Sequence, residues 1–320
     1  MINKAINNFY FDIDIPIKKE IILRVLSKRL VSDNNNNNNN KMKKKEKKSS
    51  NNNGKKIIII IGLFILFLII FISSLFKLVN WYKDNQNTNE VSEEIEEIVK
   101  VEEIIEEEII ELVNEPEEEP ESDYWYYIKF PLIQVDFNEL IKKNSDTVAW
   151  IQVNNTNINY PVVQTENNDY YLTRSYDKSW NSAGWIFMDY RNSGTLNDRN
   201  TILYGHSRLD KTMFGTLKQT LKSDWYKNKD NHIIKISTPT ENSLWQIFSV
   251  YKIKTENYYI TTNFSSDEAY MEFLNTLRER SKYNFDVSLS NSDSILTLST
   301  CYSDTERTVV HAKKIKKASR

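Results

Sequence analysis

The chain has one cysteine, three histidines, six glycines and six prolines in 320 residues. A single cysteine, Cys301, excludes an intramolecular disulfide and any multi-cysteine metal site. There is no glycine-rich phosphate loop and no paired-histidine motif, so nothing signals a nucleotide, a metal or another cofactor. A net charge of -2 with no basic stripe gives no footprint for nucleic acid. What charge there is lies in blocks. Nearly every charge between Lys41 and Lys56 is positive, and nearly every charge between Glu90 and Glu121 is negative. Such blocks seldom fold into cores, so they mark the boundaries of an architecture.

Between the blocks stands a long apolar run. Residues 57–76, "IIIIIGLFILFLIIFISSLF", are twenty residues without a charge, about 30 Å of helix and enough to cross a bilayer core. A signal peptide would lie at the extreme N-terminus, be shorter and end at a small-residue cleavage site. Here only Ser73 and Ser74 resemble one, and the run is expected to be an uncleaved transmembrane helix. Eight lysines lie between Lys41 and Lys56, against only Lys77 and Lys83 between the run and the acidic tract. The positive-inside rule then puts the N-terminus in the cytoplasm and residues 77–320 outside, with Trp81 and Tyr82 suited to the outer interface. The expected divisions are a cytoplasmic arm (1–56) with Asn-rich and Lys-rich tracts, a span (57–76), an acidic extracellular stalk (77–122) and a globular domain (123–320).

In the arm, residues 14–30 place Ile17, Ile21, Ile22, Val25 and Leu26 on one helical stripe, which suits either a basic membrane-surface helix or one with no particular role. In the stalk, Val91, Ile95, Ile98, Ile105, Ile109 and Leu112 recur at helical spacing, while dense glutamates oppose a helix. A helical stalk and an extended spacer stand level.

Residues 123–320 hold many short strand-like runs, among them "AWIQV", "NTILYGH", "LWQIFSVYKI", "ILTLST" and "RTVVHAKKI". Helical patterns are fewer: "DFNELIKKNSD" near the start and residues 265–281 between late strands. Many short strands with few helices predict a mainly β fold, a barrel or sandwich with peripheral helices. In "ILTLSTC", alternation gives Leu296, Leu298 and Thr300 one face and Ile295, Thr297, Ser299 and Cys301 the other. The leucines claim the core, so Cys301 ends the more polar face. A lone cysteine is usually a small buried hydrophobe; the strand-end position favours a reactive thiol.

A reactive thiol needs a base, most often an imidazole. His232 opens a strand with no special context, and His311 shares strand parity with Arg307. His206 follows Gly205 where a buried strand leaves into a polar loop, and ranks first of the three. Arg307, across a turn from Cys301, could direct its guanidinium at the oxyanion of an acyl transfer, or simply pair with Asp304 or Glu306.

Taken together, "ILYGH", "TLSTC" and the arginine of the following strand resemble the sortases, cysteine transpeptidases of Gram-positive surfaces. The likeness to class B extends through "DTVAWIQVNNTNINYPVVQTENNDYYL", "AGWIFMDYRN", "NTILYGHSRLDKTMFGTL" and "YYITTNFSSDEAYMEFLNTL", over roughly residues 135–315. It implies a closed sortase-type β-barrel with N-terminal helices and an extra helix before the cysteine strand. It implies His206 as catalytic histidine, Cys301 as nucleophile and Arg307 as oxyanion partner. Substrate contacts are implied at Asn168, Leu172, Tyr259, Ile260 and Ser299. The implied partners are secreted proteins with a C-terminal sorting motif, cleaved after Thr, and a cell-wall peptide or pilin lysine amine as acceptor. One departure is that the interval from Cys301 to Arg307 is shorter than in many class B members. A membrane-anchored cysteine hydrolase would share these residues; a non-catalytic surface scaffold would leave Cys301 inert.

Overall fold

The computed structural model describes residues 45–104, 111–112 and 123–320 except 302 and 304, with backbone alone at 45–53, 111–112, 123 and 301. The helical stripe expected at 14–30 lies outside the described residues, as do Ile105, Ile109 and Asp304. The chain divides into two compact units, Met1–Ile72 and Ser73–Arg320.

Helix α1 (Lys45–Ile98) contains the apolar run. Its segment Gly54–Ile98 is long and apolar enough to cross a membrane, and the most apolar stretch is entirely exposed. In the second unit α1 acquires a packing face. Val91 and Ile95 are buried in the main core together with Val99, where the chain leaves the helix. Ile98, on the same sequence stripe, is 39% exposed, because the face in contact with the barrel is set by Val91, Ile95 and Val99 instead. Glutamate repulsion therefore does not prevent the helix; apolar burial of roughly 1.5–3 kcal/mol per side chain outweighs contributions of a few tenths. Beyond it, β1 (Val101–Ile104) pairs antiparallel with β3 (Leu132–Val135), and β2 (Glu111–Leu112) pairs with Lys316 and Lys317 on the last strand. The described parts of the acidic segment are thus built onto the barrel.

Two short helices precede the barrel, α2 (Asp123–Tyr127) and α3 (Phe137–Lys143). Asp136 caps α3 by accepting from the Asn138 amide at 2.9 Å, and Lys142 and Lys143 sit in its last turn, as the helix dipole favours. The barrel strands are β4 (Thr147–Val153), β5 (Asn159–Val163), β6 (Phe187–Met188), β7 (Asn200–Tyr204), β8 (Ile233–Ser237), β9 (Glu241–Lys254), β10 (Ile295–Cys301) and β11 (Glu306–Ser319). Their order is β10-β7-β6-β5-β4-β8-β9-β11, and pairing of β10 with β11 closes a barrel of eight strands. The mainly β, closed-barrel expectation holds. Closure removes the edges that an open sheet would leave unpaired.

The interior is filled by large side chains, including Trp150, Trp185, Trp245, Phe214, Leu296 and Leu298. Helix α4 (Ser223–Lys227) contributes Trp225 to the same cluster. Helix α5 (Asp267–Glu279) is the expected extra helix before the cysteine strand. Ser266 caps it by accepting from the Ala269 amide at 3.2 Å, with Asp267 and Glu268 in the first turn. Its stripe Tyr270, Phe273, Leu274 and Leu277 packs with Phe248, Tyr251, Tyr259, Ile295 and Val309 in a second cluster on the outer side of the barrel. The polar face of β10 is therefore covered: Thr297 and Ser299 are buried, held by hydrogen bonds rather than by solvent.

Candidate active site

Register brings the three leading residues together. Strand β10 runs parallel to β7, with Ser299 opposite Tyr204, and the Gly205 amide donates to the Ser299 carbonyl at 3.4 Å just past the last pair. Two residues further along each chain come His206 and Cys301. On its other side β10 runs antiparallel to β11, with Cys301 directly opposite Arg307. Neighbouring strands lie about 4.8 Å apart, so the backbones of His206, Cys301 and Arg307 share one level at the end of the barrel, the cysteine in the middle.

The loop before β6 holds His206 in place. Its Nε2–H donates to the Leu172 carbonyl at 2.8 Å. A carbonyl only accepts, so this bond fixes the neutral tautomer and leaves Nδ1 as the nitrogen able to exchange a proton. The ring is half-buried. Burial pushes its pKa down, the Leu172 carbonyl opposes that, and Arg208 reinforces it. Gly184 forms one wall of its site. It has φ +61°, and a Cβ there would come 2.5 Å from the Tyr171 carbonyl and 2.9 Å from His206 Cδ2. Only glycine fits both the left-handed backbone and the space.

Arg307 is partly buried, and its Nη1 donates to the backbone carbonyl of Glu306 at 3.2 Å. The Glu306 carboxylate instead meets Lys252 at 3.1 Å. Among the described residues the guanidinium makes no ion pair with Glu306; Asp304, the other expected partner, lies outside them.

The other two histidines are elsewhere. His311 is fully buried between Thr297 and Tyr251, at 2.9 and 2.8 Å. His232 is buried against Tyr226 and Phe285 and joined to the Tyr127 hydroxyl at 2.8 Å. Both are core groups.

Of the five candidate substrate contacts, Asn168, Leu172 and Ile260 reach the surface, whereas Tyr259 and Ser299 are buried. Leu172, 38% exposed, supplies the carbonyl that holds His206. Ser299 and Tyr259 share a hydroxyl–hydroxyl bond of 3.0 Å. Asn168 donates to the Asp189 carboxylate at 3.1 Å and accepts from the Tyr190 amide at 3.0 Å. Ile260 accepts from Arg191 Nη2 through its carbonyl at 2.9 Å.

Asp189 and Arg191 link these segments, and the residue pattern alone does not reveal that role. The Asp189 carboxylate, fully buried, takes Arg191 Nε and Nη2 at 2.8 and 2.7 Å and the Tyr204 hydroxyl at 2.9 Å. Against burial, these donors hold its pKa below the usual carboxylate range. The only sequence signal is "DYR", an acid and a base two apart, which is too common to single out. Among the described residues no group of three or more His, Cys, Asp or Glu side chains is arranged to hold a metal ion.

Comparison with known proteins identifies the family. The family described as Sortase domain matches residues 151–315. A curated relative, sortase B of Staphylococcus aureus, is 39% identical over 190 residues, covering 58% of this chain and 77% of the relative. A solved structure from Bacillus anthracis, described as similar to sortase B, is 45% identical with a TM-score of 0.53, covering 56% of this chain and 82% of its own. A Staphylococcus aureus sortase B–substrate complex is 42% identical with a TM-score of 0.53, covering 56% and 84%.

Proposed function

Given that the chain belongs to the sortase family, and within it to class B, cysteine transpeptidases, we propose that Cys301 is its nucleophile, His206 its acid–base and Arg307 its oxyanion partner. The observation that carries this reading is the register: Cys301 on β10 lies opposite Arg307 on β11, and two residues before it Ser299 lies opposite Tyr204, two residues before His206.

The chemistry follows from the groups. As the Cys301 sulfur attacks a peptide carbonyl, His206 takes the thiol proton on Nδ1 and keeps its Nε2–H on the Leu172 carbonyl. Arg307 faces the negative charge that develops on the carbonyl oxygen. The C–N bond then breaks, the leaving amine takes the proton from His206, and a thioester remains. An acceptor amine attacks that thioester, gives its proton to His206 and expels the sulfur, which the same proton restores to a thiol. A half-buried imidazole with a lowered pKa is neutral at pH 7 and ready to take the first proton.

The proposed substrate is a secreted protein with a short C-terminal sorting motif, cleaved after Thr, bound along Asn168, Leu172, Tyr259, Ile260 and Ser299. Likeness to a sortase B solved as a substrate complex supports substrate binding by this chain. The acceptor is an amine of a cell-wall peptide or a pilin lysine. The span at 57–76 anchors the enzyme, with the lysines before it in the cytoplasm and residues 77–320 outside. Substrate, acceptor and active site then lie on one side of the membrane.

The test is product analysis with the full chain in detergent, a panel of sorting-motif peptides and an amine-bearing peptide. A ligated product that Cys301→Ala abolishes supports the reading. Cleavage yielding only the free acid, at every acceptor concentration, makes the protein a hydrolase instead.

A further inference from the structure

The polar run Asp84–Thr88 of α1 has so far had no role. It lies between the apolar span and the acidic tract, outside the matched residues 151–315. We infer that this run is a positioning element for His206, gripping the loops that hold the ring from both sides; the inference rests on the proposed role of His206.

The first grip is on residues 181–184. The Asn181 side-chain Nδ2 donates to the Asp84 carbonyl, Asn87 Oδ1 and Thr88 Oγ1, at 3.0, 2.7 and 3.0 Å, its two hydrogens shared among the three. Asn181 and Thr88 are both buried, so these bonds are formed away from competing water. The Ser182 amide donates to the Asp84 carboxylate at 3.3 Å, and the Ser182 hydroxyl donates to the same oxygen. Asn181 in turn accepts from the Ala183 amide through its side chain at 2.8 Å and from the Gly184 amide through its carbonyl at 3.0 Å. Gly184 is the residue against the His206 ring, and the Trp185 amide ties the same segment to the Tyr171 carbonyl at 2.9 Å. Tyr171 adjoins Leu172, whose carbonyl holds Nε2. One helix turn thus sets both surfaces that orient the ring.

The second grip is on the loop after the histidine. Arg208 Nη2 donates to Asn85 Oδ1 and meets Asp210 at 3.0 Å. The Arg208 side chain is only 10% exposed, and its Nε is buried with no partner among the described residues. Without Asn85 the guanidinium would lose a bond in a place where water does not readily replace it. Two residues earlier, the His206 carbonyl accepts from the Phe214 amide at 3.0 Å, so movement at Arg208 is transmitted to a short, closed loop.

The experiment uses the full chain and compares Asp84→Ala and Asn85→Ala with Glu94→Gln. Glu94 is on the same helix and pairs with Lys143, away from these loops. Two quantities are read: kcat and KM for thioester formation, and the pH dependence of Cys301 alkylation by iodoacetamide, which needs no substrate. The expected result is a roughly tenfold loss of kcat in each alanine variant with KM within about twofold, as a small misplacement of a catalytic group produces. The alkylation profile shifts in both, Asp84→Asn recovers most of the loss by keeping an acceptor, and Glu94→Gln changes neither quantity. An unchanged alkylation profile in the alanine variants overturns the inference, as does an equal loss in Glu94→Gln. If Asp84→Ala fails to fold, Asn85→Ala decides. A wild-type enzyme that forms no thioester would overturn the proposed function instead, and the alkylation profiles would then decide this inference alone.

Discussion

His206 and His311 flank the same strand, β10, and behave as different chemical objects. His311 is the register partner of Thr297, in mid-strand, beneath α5. Both its nitrogens have hydroxyl partners, it has no exposed surface, and burial with Arg280 nearby pushes its pKa down to about 3. His206 lies just past the end of β7, where one nitrogen is fixed by a backbone carbonyl and the other is left for chemistry. The residue type is the same and the scaffold is shared. Four residues of register along β10, from Thr297 to Cys301, separate a core histidine from the one proposed to serve Cys301.

The sharpest way to break this comparison is to delete each imidazole. His206→Ala should lower transpeptidation about 10³- to 10⁴-fold, measured as kcat/KM, with little change in the unfolding midpoint. His311→Ala should reverse the pattern. It takes one partner from each of the Thr297 and Tyr251 hydroxyls, opens a cavity in the core and should cost about 2–4 kcal/mol of stability by denaturant titration, while the folded fraction keeps its turnover. Equal effects in the two variants would dissolve the distinction.

Gly184→Ala comes next. The left-handed backbone and a Cβ 2.5 Å from the Tyr171 carbonyl force the wall of the histidine to move, and kcat should fall roughly 10²-fold. A smaller effect belongs to pH. His311 is neutral in the native state, whereas an unfolded histidine takes a proton near 6.5. Its contribution to stability is therefore whole above about pH 6.5 and is lost as pH falls from there toward about 3. Thermal midpoints across that window should show the slope, and His311→Gln should flatten it. The smallest expected effect is that of Tyr259→Phe. It removes a buried 3.0 Å bond to Ser299, two residues before Cys301, and should raise KM a few-fold, in line with about 1 kcal/mol.

The sequence makes some of this legible because the determinants are local. Alternation assigns Leu296 and Leu298 to the core, and both are there. Length and apolarity mark the membrane-length helix, and periodicity marks α5. Barrel closure is implied by the resemblance; composition alone leaves barrel and sandwich open. The polar face of β10 is less exposed than alternation implies, because α5, from a separate part of the chain, covers it. Choosing among the histidines needed long-range contacts: Tyr127 beside His232 is 105 residues away in sequence, and Tyr251 beside His311 is 60 away. The grip of α1 on Arg208 spans 123 residues, and no local pattern in "KDNQNTNE" announces it. Helix residues with polar side chains read as solvated until a partner is placed against them.

The most direct measurement is intact mass spectrometry of the full chain after brief incubation with sorting-motif peptides, with and without hydroxylamine. The account predicts a mass increase equal to the acyl portion ending in Thr, lost in Cys301→Ala, reversed by hydroxylamine and strongly slowed in His206→Ala. An adduct that survives in Cys301→Ala, or a Cys301 that forms none with any peptide and resists alkylation, would contradict it.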